Sequence, residues 1–297
     1  MAFEGFDAQD LSLSGARIHV RGYRHPNRDA PILLLLHGFP QTHFIWHRIV
    51  PSLMERYSIV CPDLRGYGDS EKPPGLPDHS NYAKRAMAQD MVEVMQALGY
   101  ERFHVVGHDR GGRVAHRLAL DHPRCVDKLC VIDISPTQTM YEKTDMAFAR
   151  AYFHWFFLIQ PTPLPETLMA GCAPLMLKMF LSRWGAATED YSAQAYAEYE
   201  RCWTTPAGLH GSCEDYRASA SIDLEHDRQS DAEGKKIESP LLVLWGENGV
   251  VNKLFDPLSD WRAKARGRVE GKTLSAGHYI PEEAPDLLLG ELLPFLA

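Results

Sequence analysis

The sequence lacks an excess of positive charge, a long apolar run and an N-terminus typical of a signal peptide. Each absence argues against one class of protein. Acidic residues outnumber basic ones, 39 to 31, for a formal net charge of −8, which argues against nucleic acid as a partner. No apolar run approaches the roughly 20 residues that a membrane-spanning helix needs. The acidic start MAFEGFDAQD has neither the basic nor the apolar region of a signal peptide. We therefore expect a cytoplasmic protein that binds neither nucleic acid nor membranes.

Signatures of metal, disulfide and phosphate sites are also missing from the sequence. The six cysteines show neither CxxC pairs nor zinc-like spacing, and without an export signal they are expected to be reduced. The Gly-Gly-Arg run at 111–113 is not followed by the Lys and Ser/Thr of a phosphate-binding loop. We expect neither a metal nor a cofactor.

What the sequence does contain is a regular alternation of strand-like and helix-like segments. The first segments that we predict to be strands are ARIHVRGY (16–23), PILLLLH (31–37), YSIVCPD (57–63), RFHVVGHD (102–109) and VDKLCVIDI (126–134). Helical periodicity over 82–99 and 111–123 separates the later strands. Continuous apolar strands joined by helices indicate an α/β protein with a mostly parallel central sheet and helices on both faces.

The alternation stops between residues 136 and 233. That stretch holds short helical patterns rich in aromatic residues and no clear strand, and strands resume at PLLVLWG (240–246) and RVEGKTLSAGH (268–278). We therefore predict one core domain made of residues 1–135 and 234–297. It is interrupted by a helical cap domain, residues 136–233, which is called the cap below.

The pentapeptide Gly107-His108-Asp109-Arg110-Gly111 stands where a predicted strand meets a predicted helix. The pattern Gly-x-nucleophile-x-Gly at such a junction makes a tight turn that projects the central side chain from the edge of the sheet. The N-terminus of the following helix favours a negative charge there. By itself the pentapeptide is equally consistent with a helix-capping aspartate, so the assignment depends on its partners.

Candidate partners of Asp109 follow other strands. His278 lies between the last strand and the last helix, where a catalytic base is expected after nucleophile and acid. The usual place for the acid, after the strand PLLVLWG, holds Glu247, whereas Asp133 ends the strand VDKLCVIDI. We assign the role of orienting His278 to Asp133, with Glu247 as the alternative. The loop HGFP (37–40) predicts an oxyanion hole made of the backbone N–H groups of Phe39 and Arg110.

On these residues the chain resembles the α/β-hydrolase superfamily over nearly its full length, and within it the enzymes that use an aspartate nucleophile. Haloalkane dehalogenases, epoxide hydrolases and fluoroacetate dehalogenases belong to that branch. The runs GHDRGGR, FHW and CEDYRA are similar to fluoroacetate dehalogenases in particular. The resemblance implies that Arg110 and Arg113 bind a substrate carboxylate, and that His154, Trp155 and Tyr216 bind the halide.

A haloacetate substrate is consistent with the residue types at 109 and 110. A serine would form an ether with the substrate, whereas a carboxylate forms an ester that water can cleave. Guanidinium groups clamp a carboxylate through two nitrogens and offset its repulsion by Asp109. By spacing alone, Arg113 also suits a surface helix, and YFHWFF a plain apolar lid helix. The resemblance implies hydrolysis of fluoroacetate to glycolate and fluoride, commonly by a homodimer.

Two alternatives stay open. An epoxide hydrolase uses the same Asp109 and His278 with two lid tyrosines, of which Tyr216 matches the second and His154 falls near the first. Those enzymes usually have Trp at the position of Arg110, and an arginine favours an anionic substrate. A non-catalytic ligand-binding protein on this fold is expected to have lost part of the triad, yet nucleophile, acid and base all have suitable residues here.

Overall fold

A computed structural model describes residues 3–297, except the side chain of Thr188. In these residues eight strands form one sheet, in the order β1-β2-β4-β3-β5-β6-β7-β8. The strands are Asp7–Ser12 (β1), Arg17–Tyr23 (β2), Ile32–Leu36 (β3), Ser58–Pro62 (β4), Phe103–His108 (β5), Val126–Ile132 (β6), Leu241–Gly246 (β7) and Val269–Leu274 (β8). The pairs β1–β2 and β2–β4 are antiparallel, and every later pair is parallel. The prediction of a mostly parallel sheet is confirmed.

The helices lie in two groups. Those outside the cap are Val50–Leu53 (α1), Lys84–Ala97 (α2), Arg110–Asp121 (α3), Val250–Leu254 (α12), Pro257–Arg262 (α13), Ile280–Glu283 (α14) and Pro285–Leu296 (α15). Those within residues 136–233 are Thr137–Glu142 (α4), Met146–Ala151 (α5), Phe153–Phe157 (α6), Leu164–Ala170 (α7), Ala173–Leu181 (α8), Ala193–Trp203 (α9), Pro206–Ala220 (α10) and Ile222–Ala232 (α11). Short 3₁₀ helices occur at 43–48, 80–82, 123–125 and 188–190.

The central strands are buried along nearly their whole length because helices cover both faces of the sheet. Every residue of β4 and β5 is buried, and β3 is buried from its second residue onward. Their leucines, valines and isoleucines join one continuous hydrophobic core. Since these strands are parallel, their carboxyl ends meet at one edge of the sheet, where the loops that follow them lie side by side.

Strand β1 was not predicted from the sequence. Its residues, DAQDLS, alternate between exposed and half-buried, and the strand pairs with β2 along the outer edge of the sheet. An edge strand with one solvated face has little apolar content, so the signal that identifies buried strands is absent.

The described part of the cap contains helices and no strand. It lies over the carboxyl ends of the strands, where the ring of Phe39 contacts three cap side chains. The ring centroids of Phe180, Trp203 and Tyr216 are 5.2, 5.9 and 5.4 Å from that of Phe39. Aromatic side chains of the cap therefore cover the loop that follows β3.

Among the described residues, no single helix has the length and apolar character needed to cross a membrane, although the bent pair α7 and α8, at 95°, passes that test when taken together.

Candidate active site

Asp109 occupies a strained turn between β5 and α3. Its backbone angles are φ +44° and ψ −114°, a conformation that costs a non-glycine residue on the order of 1–3 kcal/mol. Two glycines make the turn possible. A Cβ on Gly107 would lie 2.6 Å from the carbonyl oxygen of Gly111, and a Cβ on Gly111 would lie 2.3 Å from that of Leu36. Strain that the surrounding chain maintains in this way is typical of functional positions.

The carboxylate of Asp109 faces the loop after β3. The backbone N–H of Phe39 donates a hydrogen bond to its Oδ2, with an N–O distance of 3.1 Å. The loop comes so close that a Cβ on Gly38 would lie 2.6 Å from the Cβ of Asp109. Burial disfavours the charged carboxylate, but the positive charges of His278 and Arg113 outweigh it and lower the pKa of Asp109. Asp109 is therefore an ionised side chain beneath the cap.

His278 lies in the loop between β8 and α14 and pairs with Asp133. Its Nδ1 is 2.5 Å from Oδ2 of Asp133, and the other carboxylate oxygen accepts the N–H of Gly246 at 3.0 Å. Burial disfavours the imidazolium, yet the hydrogen bond and charge of Asp133 outweigh it, so the pKa of His278 is raised above 6.5. Glu247 is exposed. The structure thus brings Asp133, rather than Glu247, to His278.

The backbone of His278 is also held in place. Its carbonyl oxygen accepts a hydrogen bond from Nε2 of His108 at 2.8 Å, and its N–H donates to the carbonyl of Trp184 at 3.0 Å. Burial, followed by the charge of His278, lowers the pKa of His108 to about 3, so this ring is neutral. The loop that carries His278 is anchored both to the strand below and to the cap.

Arg110 is buried and already paired. Its Nε and Nη2 donate to the two carboxylate oxygens of Asp215 at 2.7 and 2.9 Å, and Nη2 also donates to the hydroxyl of Ser219. Among the described residues its buried Nη1 has no hydrogen-bond partner. Asp215 therefore occupies the Nε and Nη2 side of the guanidinium group, and binding of a substrate carboxylate by Arg110 stays a prediction. One nitrogen is left for a ligand.

Arg113 is a buried cation without a carboxylate partner. Its Nη1 donates to the Ser135 carbonyl and the Thr137 hydroxyl at 3.2 and 2.9 Å, and Nη2 lies 3.2 Å from Sδ of Met140. Within residues 3–297 no carboxylate is at salt-bridge distance from it, and its Nε has no partner. Burial and the charge of Arg110 lower the pKa of Arg113. Buried charges are normally paired, so this site favours an anionic ligand.

His154, Trp155 and Tyr216 come together above Phe39. The His154 ring stacks on Phe39 with centroids 5.6 Å apart, and the Tyr216 ring lies 5.5 Å from His154 and 6.2 Å from Trp155. All three side chains are buried. Burial lowers the pKa of His154 well below 6.5, so its ring is neutral, and its Nδ1 lacks a partner in the described structure. The cap therefore contributes polar hydrogens within an otherwise aromatic enclosure.

Two side chains near this site were not identified from the sequence. The buried hydroxyl of Tyr152 has no hydrogen-bond partner in the described residues, and its ring centroid is 6.4 Å from that of His278. The other is Asp215, which binds Arg110. Both residues could have been found from their position beside predicted site residues, since Tyr152 precedes His154 by two positions and Asp215 directly precedes Tyr216.

Three side-chain groups in the described residues have the spacing of metal ligands, and none includes a triad residue. They are His19 with His43 and Asp63, Asp69 with Glu198 and Cys202, and Glu166 with His210 and Glu214. Arginines pair with the carboxylates of the second and third groups. In the first group, the backbone N–H of His43 donates a hydrogen bond to Oδ1 of Asp63, and Nδ1 of His43 lies 2.9 Å from the same oxygen.

The comparisons with known proteins identify the family. A family model for the α/β hydrolase fold matches residues 31–285, and the chain belongs to that family. A fluoroacetate dehalogenase from Burkholderia sp. is 44% identical to it over 99% of this chain and 95% of that protein. A soluble epoxide hydrolase from Corynebacterium sp. strain C12 is 30% identical over 96% and 95%. A candidate α/β hydrolase from Nostoc sp. PCC 7120 superposes with a TM-score of 0.95 at 51% identity, covering 99% of each chain.

Proposed function

We propose that this hydrolase is a haloacetate dehalogenase that converts fluoroacetate to glycolate and fluoride. The observation that carries the proposal is the charge arrangement around Asp109. Among residues 3–297, Arg113 is buried without a carboxylate partner, and Nη1 of Arg110 has no hydrogen-bond partner. A substrate carboxylate bound between these two arginines would supply acceptors for the unpartnered Nη1 of Arg110 and Nε of Arg113. The Burkholderia relative, a fluoroacetate dehalogenase, supports the same substrate class.

In the first step a carboxylate oxygen of Asp109 attacks the α-carbon of the substrate. The carbon–fluorine bond breaks, fluoride leaves with the electron pair, and an ester forms on Asp109. The ring nitrogens of His154 and Trp155 and the hydroxyl of Tyr216 replace part of the hydration that fluoride loses. Each hydrogen bond to a charged acceptor contributes about 1.5–3 kcal/mol, so three of them lower the barrier substantially.

In the second step His278 takes one proton from water, and the resulting hydroxide adds to the carbonyl carbon of the Asp109 ester. The N–H groups of Phe39 and Arg110 hold the oxyanion, and losing one such donor typically costs about 3 kcal/mol. The intermediate collapses, and the departing glycolate oxygen receives the proton from His278. The regenerated carboxyl group then releases its proton to solvent, and Asp109 is again ionised.

Epoxide hydrolysis is the second candidate, and Tyr152 favours it. The rings of Tyr152 and Tyr216 both lie near Trp155, with centroids 6.0 and 6.2 Å from that of Trp155. Within the described residues the buried hydroxyl of Tyr152 has no hydrogen-bond partner. Two tyrosines above the nucleophile would suit protonation of an opening epoxide ring. The two buried arginines are better matched by a carboxylate, which a simple epoxide lacks.

A parallel assay of four substrates tests the proposal. The protein is offered fluoroacetate, chloroacetate, fluoroacetamide and styrene oxide, and halide release or diol formation is measured. We expect kcat/KM to be highest for the two haloacetates, and lower for the neutral amide because it cannot pair with Arg110 and Arg113. Diol formation without halide release from either acid would instead establish the epoxide hydrolase.

The pH dependence of turnover follows from the raised pKa of His278. The neutral ring is the base, so steady-state turnover is expected to fall on the acid side of a midpoint above 6.5, the reference value of histidine. Asp109 has a lowered pKa, so its attack continues at the same acidic pH. Single-turnover fluoride release and steady-state rates are compared from about pH 5.5 to about pH 8.5. Parallel loss of both rates, with one midpoint, contradicts this division of roles.

A further inference from the structure

A buried cluster of charges joins the cap to the core next to Asp109. Asp215, on α10, is fully buried. Its carboxylate accepts hydrogen bonds from Nε and Nη2 of Arg110 at 2.7 and 2.9 Å, from the Tyr67 hydroxyl at 2.6 Å and from the ammonium group of Lys84. The cations belong to the core helices α2 and α3, whereas the carboxylate belongs to the cap.

These contacts determine how Arg110 is oriented. The two N–H groups of Nη2 are shared among three acceptors, namely the carboxylate and the backbone carbonyl of Asp215 and the hydroxyl of Ser219. Nε is occupied by the same carboxylate, and the guanidinium carbon lies 4.2 Å from the ring centre of Tyr216. A planar guanidinium held at two of its nitrogens cannot rotate, so the direction of the unpaired Nη1 is fixed.

The cluster is also balanced in charge. Lys84 lies between Asp215 and Asp223, with its nitrogen 3.5 Å from Oδ2 of Asp223 and its backbone N–H donating to Oδ1 at 2.7 Å. Two cations and two carboxylates therefore neutralise one another. The charge of Arg113 is left to attract the substrate, and Arg110 contributes mainly a fixed direction for a hydrogen bond.

We infer that Asp215 is a positioning residue that makes Arg110 present a single nitrogen to the substrate carboxylate and so aligns the α-carbon with Asp109. This inference rests on the proposed function. Asp215 does not touch the reacting atoms; it acts through Arg110. Its contribution is expected to appear in the rate of the chemical step, because a small misplacement of reacting atoms has a large effect on that rate.

Asp215→Asn tests the inference by separating kcat from KM. For fluoroacetate we expect kcat to fall about tenfold or more, because Arg110 loses its ionic anchor. KM is not expected to rise, because removing a negative charge favours an anionic substrate. For fluoroacetamide, whose carbonyl oxygen accepts the same hydrogen bond without a negative charge, the interaction with Arg110 is weaker, and kcat is expected to fall by a smaller factor than for the acid. Equal losses for both substrates, or no loss for either, overturn the inference.

Two further variants control for damage to the fold. Glu214→Gln removes a neighbouring buried ion pair on α10, the one with Arg217 at 2.7 Å, and is expected to leave the ratio of the two kcat values unchanged. Lys84→Gln combined with Asp215→Asn removes one cation and one carboxylate, and it keeps the test available if the single variant does not fold. The double variant is expected to show the same split between the acid and the amide.

A readout that needs no turnover separates this inference from the proposed function. Crystal structures of the wild type and the double variant are determined in the presence of acetate, as an unreactive carboxylate. We expect the Arg110 guanidinium to leave its place above the Tyr216 ring in the variant. If it keeps that place, Asp215 does not position it, whatever substrate the protein uses. If the wild type releases no halide from any haloacetate, the proposed function itself is wrong.

Discussion

The His278→Asn variant is expected to release one fluoride ion per active site from fluoroacetate and then stop. Asp109 keeps its charge and its hydrogen bond from Phe39, so the carbon–fluorine bond still breaks. No imidazole remains to take a proton from water, and the ester on Asp109 accumulates. A fluoride electrode records the burst, and intact-mass spectrometry records the carboxymethyl group added to the protein.

His122→Asn is the matched control for that variant. His122 lies at the opposite end of α3 from Asp109, so the same substitution there is expected to leave steady turnover intact. If His278→Asn gives neither a burst nor a gain in mass, the two-step scheme is wrong. If it turns over at the wild-type rate, another group activates the water.

The Asp109→Asn variant is expected to lose both the burst and turnover, by on the order of 10⁴-fold or more. An amide oxygen is a far weaker nucleophile than a carboxylate, and no ester forms. Asparagine tolerates a positive φ better than most residues, and its side-chain oxygen still accepts the N–H of Phe39. The turn at φ +44° is therefore expected to survive the substitution.

Binding measurements distinguish loss of chemistry from loss of the site in Asp109→Asn. Removing the charge of Asp109 removes its repulsion of the substrate carboxylate, whereas Arg113 remains. Calorimetric titration with fluoroacetate is expected to show binding at least as tight as that of acetate to the wild type. Measurable halide release by freshly prepared variant, without reversion to aspartate in its peptide mass, would exclude Asp109 as the nucleophile.

Much of the fold was predictable because the core strands are unusually apolar. Runs such as PILLLLH have no polar face, and only a sheet buried on both sides accommodates them. The positions of Asp109, Asp133 and His278 followed from the same topology, because each residue comes after the carboxyl end of a parallel strand. What the pattern did not decide was the choice between Asp133 and Glu247. Both follow core strands, and only the bond to His278 distinguishes them.

The arginine site shows where sequence patterns stop being informative. The spacing of Arg110 and Arg113 placed them on one helical face but gave no sign that both are buried. Asp215 lies 105 positions from Arg110, and no periodicity connects a cap helix with the helix after the nucleophile. The pairing of Arg110 with Asp215 was not predicted for this reason. The edge strand β1 was missed for a different reason, since its residues are too polar to show the pattern of a buried strand.

The ionic bridge between α10 and the two core helices constrains how small molecules enter and leave. Swinging the cap away as a rigid body would pull Asp215 from Arg110 and Lys84 and break several charge-assisted hydrogen bonds at once, which is costly. Substrate and products are therefore expected to reach and leave Asp109 through brief rotations of individual aromatic rings while the cap stays closed. Such a route is expected to favour compounds of a few heavy atoms over bulkier ones.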